Sequence, residues 1–275
     1  MKSVRFFVTA ATCLTLSAST LSVCAHAAPS VDIIPAKGGP IRITAKFHAS
    51  TQIEYRGKVI VVDPVSAASW TKKADFILIT HPHGDHLDLP AIAKLDTAAT
   101  MILAPAEVAK NISTPRSAAH AISPVGAMRM TSLDFPLISV SAVPAYNLAR
   151  GPKPGQKFHT KESQWNGYII TIGGKRLYFA GDTEATPEMK ALKDIDAAFL
   201  PMNLPYTMTP QEAAAAVRAF KPKRVYPYHF RYPFDKDSGN ERTFAALLRG
   251  SGTKVKILDW YPKAALAKVA AASKK

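Results

Sequence analysis

The chain has 275 residues, 47% of them hydrophobic, and a formal net charge of +15. That length suits one large domain or two small ones, with ample room for a core. The basic residues are scattered, with small clusters only at 221–224 and 274–275, so a nucleic-acid partner is not expected; the charge suits anionic lipids, envelope polyanions or an anionic substrate.

The first segment reads as a targeting signal. Lys2 and Arg5 give a basic start, an apolar stretch runs from about Phe6 to Val23, and Ala25-His26-Ala27 fits the small-x-small rule for cleavage before Ala28. Residues 1–27 are thus expected to be a signal peptide, and 28–275 a single domain in the periplasm or secreted. Both cysteines, Cys13 and Cys24, fall in the leader, so no disulfide and no thiolate ligand is expected afterwards. No later run is apolar enough to span a bilayer, so no stable membrane insertion is expected.

Strand and helix signals then alternate. IRITAKF (41–47), TQIEYRG (51–57) and KVIVVDP (58–64) read as consecutive strands. ADFILIT (74–80) is a short apolar run suited to a strand buried on both faces. LPAIAKL (89–95) reads as a helix capped by Asp88, MILAP (101–105) as a strand, and AEVAKN (106–111) as a short helix. MRMTS (128–132) and PLISVSAVPAY (136–146) look like strands. From Asn147 to Asn166 the character changes: two prolines, two glycines, Arg150, Lys153, Lys157 and Lys161 make a long loop, of a length that usually covers a site. GYIITIGGKRLYFAGDT (167–183) is a hairpin turning at Gly173-Gly174. TPEMKALK (186–193) reads as a helix, and DAAFLPM (196–202) as a strand. TPQEAAAAVRAF (209–220) is a helix with Thr209 as cap and Glu212 three residues on. KRVYPYHF (223–230) is a strand, ERTFAALLRG (241–250) a helix and KVKILDW (254–260) a last strand. This order is α/β or α+β, and two sheets with helices outside would fit it.

The chemistry gathers at THPHGDHLD (80–88). His81 and His83, two apart in extended chain, point to one side. Pro82 stiffens the path, Gly84 permits a turn, and Asp85 and His86 can face the same cavity from its other flank. Imidazoles with a carboxylate suit zinc, iron or manganese. The competing reading is a capped polar loop. His48 ends a strand and either lines a pocket or is a hydrogen-bonded structural histidine. His120 lies in a polar loop. Arg150, Lys153, Lys157 and Lys161 either clamp a phosphate or carboxylate or form a solvated basic lid. Tyr146, Trp165, Tyr206 and Tyr228 either wall the pocket or pack in the core.

HPHGDH resembles the signature of the metallo-β-lactamase fold superfamily. VVDP (61–64), AGDT (180–183) and YPYHF (226–230) resemble, in order and spacing, the strand ends that carry its supporting aspartate, bridging aspartate and last histidine. The resemblance spans about residues 40–260, and looks most like the branch of ascorbate-6-phosphate lactonase-like and N-acyl-phosphatidylethanolamine phospholipase D-like hydrolases. It implies a four-layer αββα sandwich. His81 and His83 would bind a first metal; Asp85, His86 and His229 a second; Asp182 would bridge both, and Asp63 would orient a ligand histidine. The metals, two Zn2+ or else Mn2+ or Fe, would activate a water against carbon or phosphorus, with Asp85, His86 and Asp182 as the catalytic set. One position departs: where the family writes P-A-x-H, this chain has Asn147 in VPAYN. Either His159 in KFHTK supplies the missing nitrogen, or the first site is weakened. The expected function is an exported metal-dependent hydrolase of a lactone or other ester, an amide or a phosphodiester, on a small-molecule substrate of anionic character. Tyr146 and Arg150 are counted with Asp63, His48 and Asn147 as supporting or substrate residues. The alternative is a metal- or ligand-binding protein with a degenerate, non-catalytic site, for which Asn147 speaks.

Overall fold

A computed structural model describes residues 30–112, 119–122, 132–232, 238–263 and 266. The expected leader, both cysteines, most of MRMTS and most of the tail lie outside the described residues.

The described strands form two seven-stranded sheets, each ordered as the chain runs. The first holds β1 (Val31–Ile34), β2 (Ile41–Phe47), β3 (Ser50–Tyr55), β4 (Lys58–Val62), β5 (Phe76–Leu78), β6 (Met101–Ala104) and β7 (Ala119–Ala121). The second holds β8 (Ser132–Phe135), β9 (Ile138–Pro144), β10 (Asn166–Ile172), β11 (Lys175–Phe179), β12 (Ala197–Pro201), β13 (Arg224–Tyr228) and β14 (Lys254–Val255). In both, the first four strands are antiparallel and the remaining pairs parallel. Parallel neighbours need a crossover. Helices α1 (Leu89–Leu95), α2 (Ala106–Asn111), α3 (Pro187–Lys190), α4 (Pro210–Phe220) and α5 (Asn240–Leu247) supply most of them.

Alternation along the strands explains the layers. Ile60, Val62, Leu78 and Leu103 share the core between the sheets with Val140, Tyr168 and Ile170, while the intervening Val61, Ile77, Ile79 and Ile102 pack with Ala91, Ile92 and Leu95 of α1 and Val108 of α2. Each such fully buried side chain stabilises the fold by about 1.5–3 kcal/mol. On the other side, Ala213, Val217 and Phe220 of α4 and Phe244 of α5 join the core around the second sheet. The result is the expected four-layer αββα sandwich. Asp88 caps α1, accepting from Ala91 N at 3.0 Å, and Thr209 and Glu212 form the capping box of α4.

Three boundaries differ from expectation. β1 pairs along the edge with β2, and its four residues gave no strong alternation. His120 lies not in a loop but on β7, opposite Leu103. The last strand stops at Val255 because the chain leaves the sheet to bury Leu258 and Trp260, and the Trp260 carbonyl accepts His48 N at 2.9 Å. This turn brings the C-terminal region against the strand end that carries His48.

Candidate functional site

The strand directions decide where the polar residues go. β2, β4 and β5 run one way in the first sheet, and β9, β11 and β13 share one direction in the second. Their C-terminal ends carry His48, Asp63, Thr80-His81, Asn147, Asp182 and His229. Three of these, His48, Asp63 and His229, have positive φ (58°, 46° and 45°) without being glycine, a conformation that costs energy and clusters at functional sites. Gly181, beside Asp182, is required: at φ +66° a Cβ would meet Asn166 O at 2.8 Å. Gly84 is not, because a Cβ there meets nothing within 4 Å.

Asp63, fully buried, organises the first sheet's contribution. Its Oδ1 accepts Thr80 N at 2.7 Å, and its Oδ2 accepts Thr80 Oγ1 and His86 Nδ1, both at 2.8 Å. The hydroxyl hydrogen of Thr80 is spent on Asp63, so its oxygen accepts from His81 Nδ1 at 2.9 Å. Both rings are thereby turned with Nε2 toward the cavity.

Four donors then converge. Asp182 Oδ1 lies 3.4 Å from His86 Nε2 and 3.2 Å from His229 Nε2, and Asp85 Oδ2 lies 3.5 Å from His229 Nε2 and 3.9 Å from His86 Nε2. Bonds of 2.0–2.2 Å around a tetrahedral cation would set neighbouring donors about 3.3–3.6 Å apart; three of these separations lie at or near that spacing and the one between Asp85 and His86 is wider. Beside it, His81, His83 and His159 each offer a nitrogen within 4.8 Å of the others. His159 Nε2 is 3.8 Å from Asp182 Oδ2, so the two oxygens of Asp182 face the two clusters. His159 is buried, and Asn147 binds it rather than joining the donors: Asn147 Oδ1 is 2.7 Å from His159 Nδ1.

The fit to a metal rests on unpaired atoms. His81 Nε2, His86 Nε2, His159 Nε2, His229 Nε2 and Asp182 Oδ1 are all buried without a hydrogen-bond partner. Each such atom costs about 1–3 kcal/mol, and all of them face one cavity where cations would satisfy them together.

The electrostatics agree. Burial alone would raise Asp182, but His229 and His86 hold it well below the ordinary carboxylate range. Asp85 is likewise lowered, its burial outweighed by His86 and by its bond to His48. Burial pushes His81 well down, His159 down to about 4 and His48 down to about 3, leaving neutral imidazoles. His86 goes the other way: burial is outweighed by Asp182, Asp85 and Asp63, which raise it well above the usual histidine value. A cation entering here would displace that proton.

Other expected residues lie elsewhere. His48 sits between the Tyr261 hydroxyl and Asp85 Oδ2, at 3.2 Å from each, so it is hydrogen-bonded and at the cavity at once. Arg150 is no free anion clamp, because its guanidinium is held by Glu184 and Glu212. Lys157 donates to Leu148 O and Lys161 to Glu188. Tyr146 does not line the cavity with its hydroxyl, which donates to Glu188 at 2.9 Å under the Lys161 ammonium. The partners Glu184, Glu188 and Glu212 come from later elements, out of reach of local sequence reading. Tyr228 belongs to the core and donates no wall. Trp165 does, with its ring 5.2–5.6 Å from those of His81, His83 and His159. On the far flank Tyr232 stacks on His48 at 5.7 Å, and Tyr206 packs edge-on against Tyr232. Sequence reading missed Thr80, Tyr232 and Tyr261; only Tyr232 had a signal, an aromatic three residues past His229.

Known proteins are similar to this chain in sequence and fold. The profile of the beta-lactamase superfamily domain matches residues 51–230. A UPF0173 metal-dependent hydrolase of Geobacillus sp. (strain WCH70) is 31% identical over 225 residues, covering 76% of this chain and 93% of its own. The crystal structure of a candidate metal-dependent hydrolase from Parabacteroides distasonis is 38% identical, with a TM-score of 0.70 over 83% of this chain and 98% of its own. Igni18, a metallo hydrolase from Ignicoccus hospitalis, shares the fold at 22% identity and a TM-score of 0.62, over 79% of this chain and 94% of its own. With the sandwich, the His/Asp clusters and these relatives in agreement, the chain belongs to the metallo-β-lactamase superfamily and is a metal-dependent hydrolase.

Proposed function

We propose that this hydrolase acts after export, and that His81, His83, His159, Asp85, His86, Asp182 and His229 would hold two metal ions. Zinc is the first candidate, since nitrogen and carboxylate donors at this spacing suit it. The observation that carries the reading is the convergence of buried, unpaired Nε2 atoms on Asp182. When bound, such a pair lowers the pKa of a water and polarises the oxygen of the scissile group.

The chain's own residues do the rest. Asp63 and Thr80 hold the rings of His86 and His81 in one tautomer. Asp85 is the most exposed carboxylate of the cluster, at 27% against 6% for Asp182, and is ionised at neutral pH. Held that far down it is a weak base, so its part is to accept a hydrogen bond from an attacking water and orient it. Trp165 and Tyr232 wall the two flanks and exclude solvent. The bond cleaved is a lactone or other ester, an amide or a phosphodiester. Because Arg150, Lys157 and Lys161 are engaged by the protein itself, the loop gives little support for an anionic substrate; the aromatic walls favour an apolar body.

Export rests on the leader pattern of residues 1–27; no helix among the described residues is long and apolar enough to cross a membrane. Sequencing the N-terminus of the protein from its native host should start at Ala28. For the chemistry, the test is elemental analysis with a panel of lactone, ester, lactam and phosphodiester substrates. The expected result is about two metals per chain and turnover lost on His86→Ala. A single tight metal and no turnover across the panel would favour the non-catalytic binding alternative. That alternative draws on Asn147; against it speaks the buried, unpaired Nε2 of His159 beside His81 and His83.

A further inference from the structure

We propose that Asn147 is a positioning residue: its side-chain oxygen fixes the tautomer of His159, and this makes a loop histidine competent to bind metal. The inference rests on the reading of His159 as a metal donor.

The orientation of the Asn147 amide is forced from both ends. Its Oδ1 accepts the backbone N–H of His159 at 2.8 Å, and its Nδ2 donates to the carbonyl of Tyr206 at 2.8 Å. A backbone N–H cannot accept and a carbonyl cannot donate, so flipping the amide would break both bonds. The same Oδ1 lies 2.7 Å from His159 Nδ1. An oxygen already fixed as acceptor requires a hydrogen on that nitrogen. His159 Nε2 is buried and has no hydrogen-bond partner; the nearest carboxylate oxygen, Asp182 Oδ2, is 3.8 Å away. The proton therefore stays on Nδ1, and the Nε2 lone pair faces His81, His83 and Asp182.

A donor carried on a long loop needs such a bracket more than one on a strand end. His81 and His86 are aimed by the sheet and by Asp63 and Thr80. His159 lies midway along the connection between β9 and β10, where the chain has no ladder to hold it. Asn147 closes that connection in both directions, since its own N–H also donates to His159 O at 2.8 Å. Outside this closure, Glu184 accepts Ala149 N at 2.7 Å and Arg150 N at 3.0 Å, which anchors the outgoing strand of the loop. Trp165 Nε1 donates to Glu107 at 3.0 Å, which anchors its return. Position 147 thus contributes an acceptor to the site, and the nitrogen comes from twelve residues further on.

The test uses Asn147→Leu, similar in size but with no acceptor, and Asn147→Asp, which keeps the acceptor toward His159 and gives up the donor to Tyr206 O. Two readouts are needed on the purified protein. Long-range 1H–15N correlation spectra of the metal-free protein report the tautomer of His159, assigned by its loss in His159→Gln. Competition with a chromophoric chelator reports zinc affinity. We expect wild-type His159 to be the Nδ1–H tautomer. Asn147→Leu should lose that preference and bind its weaker zinc 10–100-fold less tightly, and Asn147→Asp should recover the hydrogen on Nδ1. Should the leucine variant fail to fold, the aspartate variant carries the test alone, with a hydrogen on His159 Nδ1 expected. An Nε2–H tautomer in the wild type would overturn the proposal, as would unchanged zinc affinity in a folded leucine variant or a bare Nδ1 in a folded aspartate variant. His159→Ala separates the two levels. If it leaves zinc binding intact, the ligand reading fails; if it removes a zinc while Asn147→Leu does not, only the positioning role fails.

Discussion

The two sheets follow one strand plan, yet they deliver donors to the cavity in different ways. The first sheet delivers His81, His83, Asp85 and His86 from a single turn after β5, backed by Asp63 from the neighbouring strand end. The second delivers Asp182, His229 and His159 from two separate strand ends and a loop. In the first case the spacing of residues in sequence makes the cluster. In the second, only the topology does, because parallel strands with their C-terminal ends at one edge bring distant residues together. The supports differ correspondingly. A buried carboxylate serves His86 of the turn after β5, and a neutral amide serves His159 of the long loop.

Asp182 is where the halves meet, and removing it should have the largest effect. Asp182→Ala takes an oxygen from both clusters, so metal content should fall toward zero and kcat/KM by about 10³-fold or more, equivalent to about 4 kcal/mol. Retention of one full metal would mean that the halves act separately. Next comes Asp63→Asn. One amide oxygen cannot accept Thr80 N, Thr80 Oγ1 and His86 Nδ1 together, and a buried donor is left unmatched. Stability should fall by about 2–3 kcal/mol, seen as a lower Tm, with metal affinity weakened 10–100-fold.

Acidification probes the same histidines without mutation. His159, His81 and His48 have folded pKa values below the ordinary histidine value, about 4 for His159 and about 3 for His48. Between pH 6.5 and 4 the unfolded chain therefore binds more protons at these positions, and stability falls as pH falls. His86, raised, works in the opposite direction, its contribution being lost as pH rises through its folded value. Chelated protein should lose up to about 1.4 kcal/mol per pH unit for each neutral buried histidine below pH 6.5, and His159→Gln should flatten the slope. A Tm independent of pH from 7 to 4 would contradict this. The smallest effect belongs to Arg150→Ala. Its partly exposed ion pairs with Glu184 and Glu212 predict a loss of about 1 kcal/mol or less. KM for anionic substrates should stay unchanged, whereas a large rise would restore the anion clamp.

The contrast between the halves also explains what the sequence disclosed. His81, His83, Asp85 and His86 were legible from residue types and spacing alone, and Asp88 and Thr209 from helix-cap chemistry. Asp182, His229 and Asp63 were singled out through resemblance to a family, since no period links strand ends so far apart. The choice between His159 and a weakened first site stayed open because loop geometry has no periodic signal; the Asn147 bracket decides where the ring points. Arg150 and Tyr146 were counted as supporting or substrate residues because a basic, aromatic loop looks free in one dimension. In three, Glu184, Glu212 and Glu188 from later elements engage them.

In the proposed first metal site His159, from the second half, completes the set begun by His81 and His83 of the first. Calorimetric zinc titration of the metal-free wild type and of His159→Ala tests it most directly. Two binding events in the wild type and one in the variant are predicted. Two events of unchanged affinity in the variant would contradict the claim.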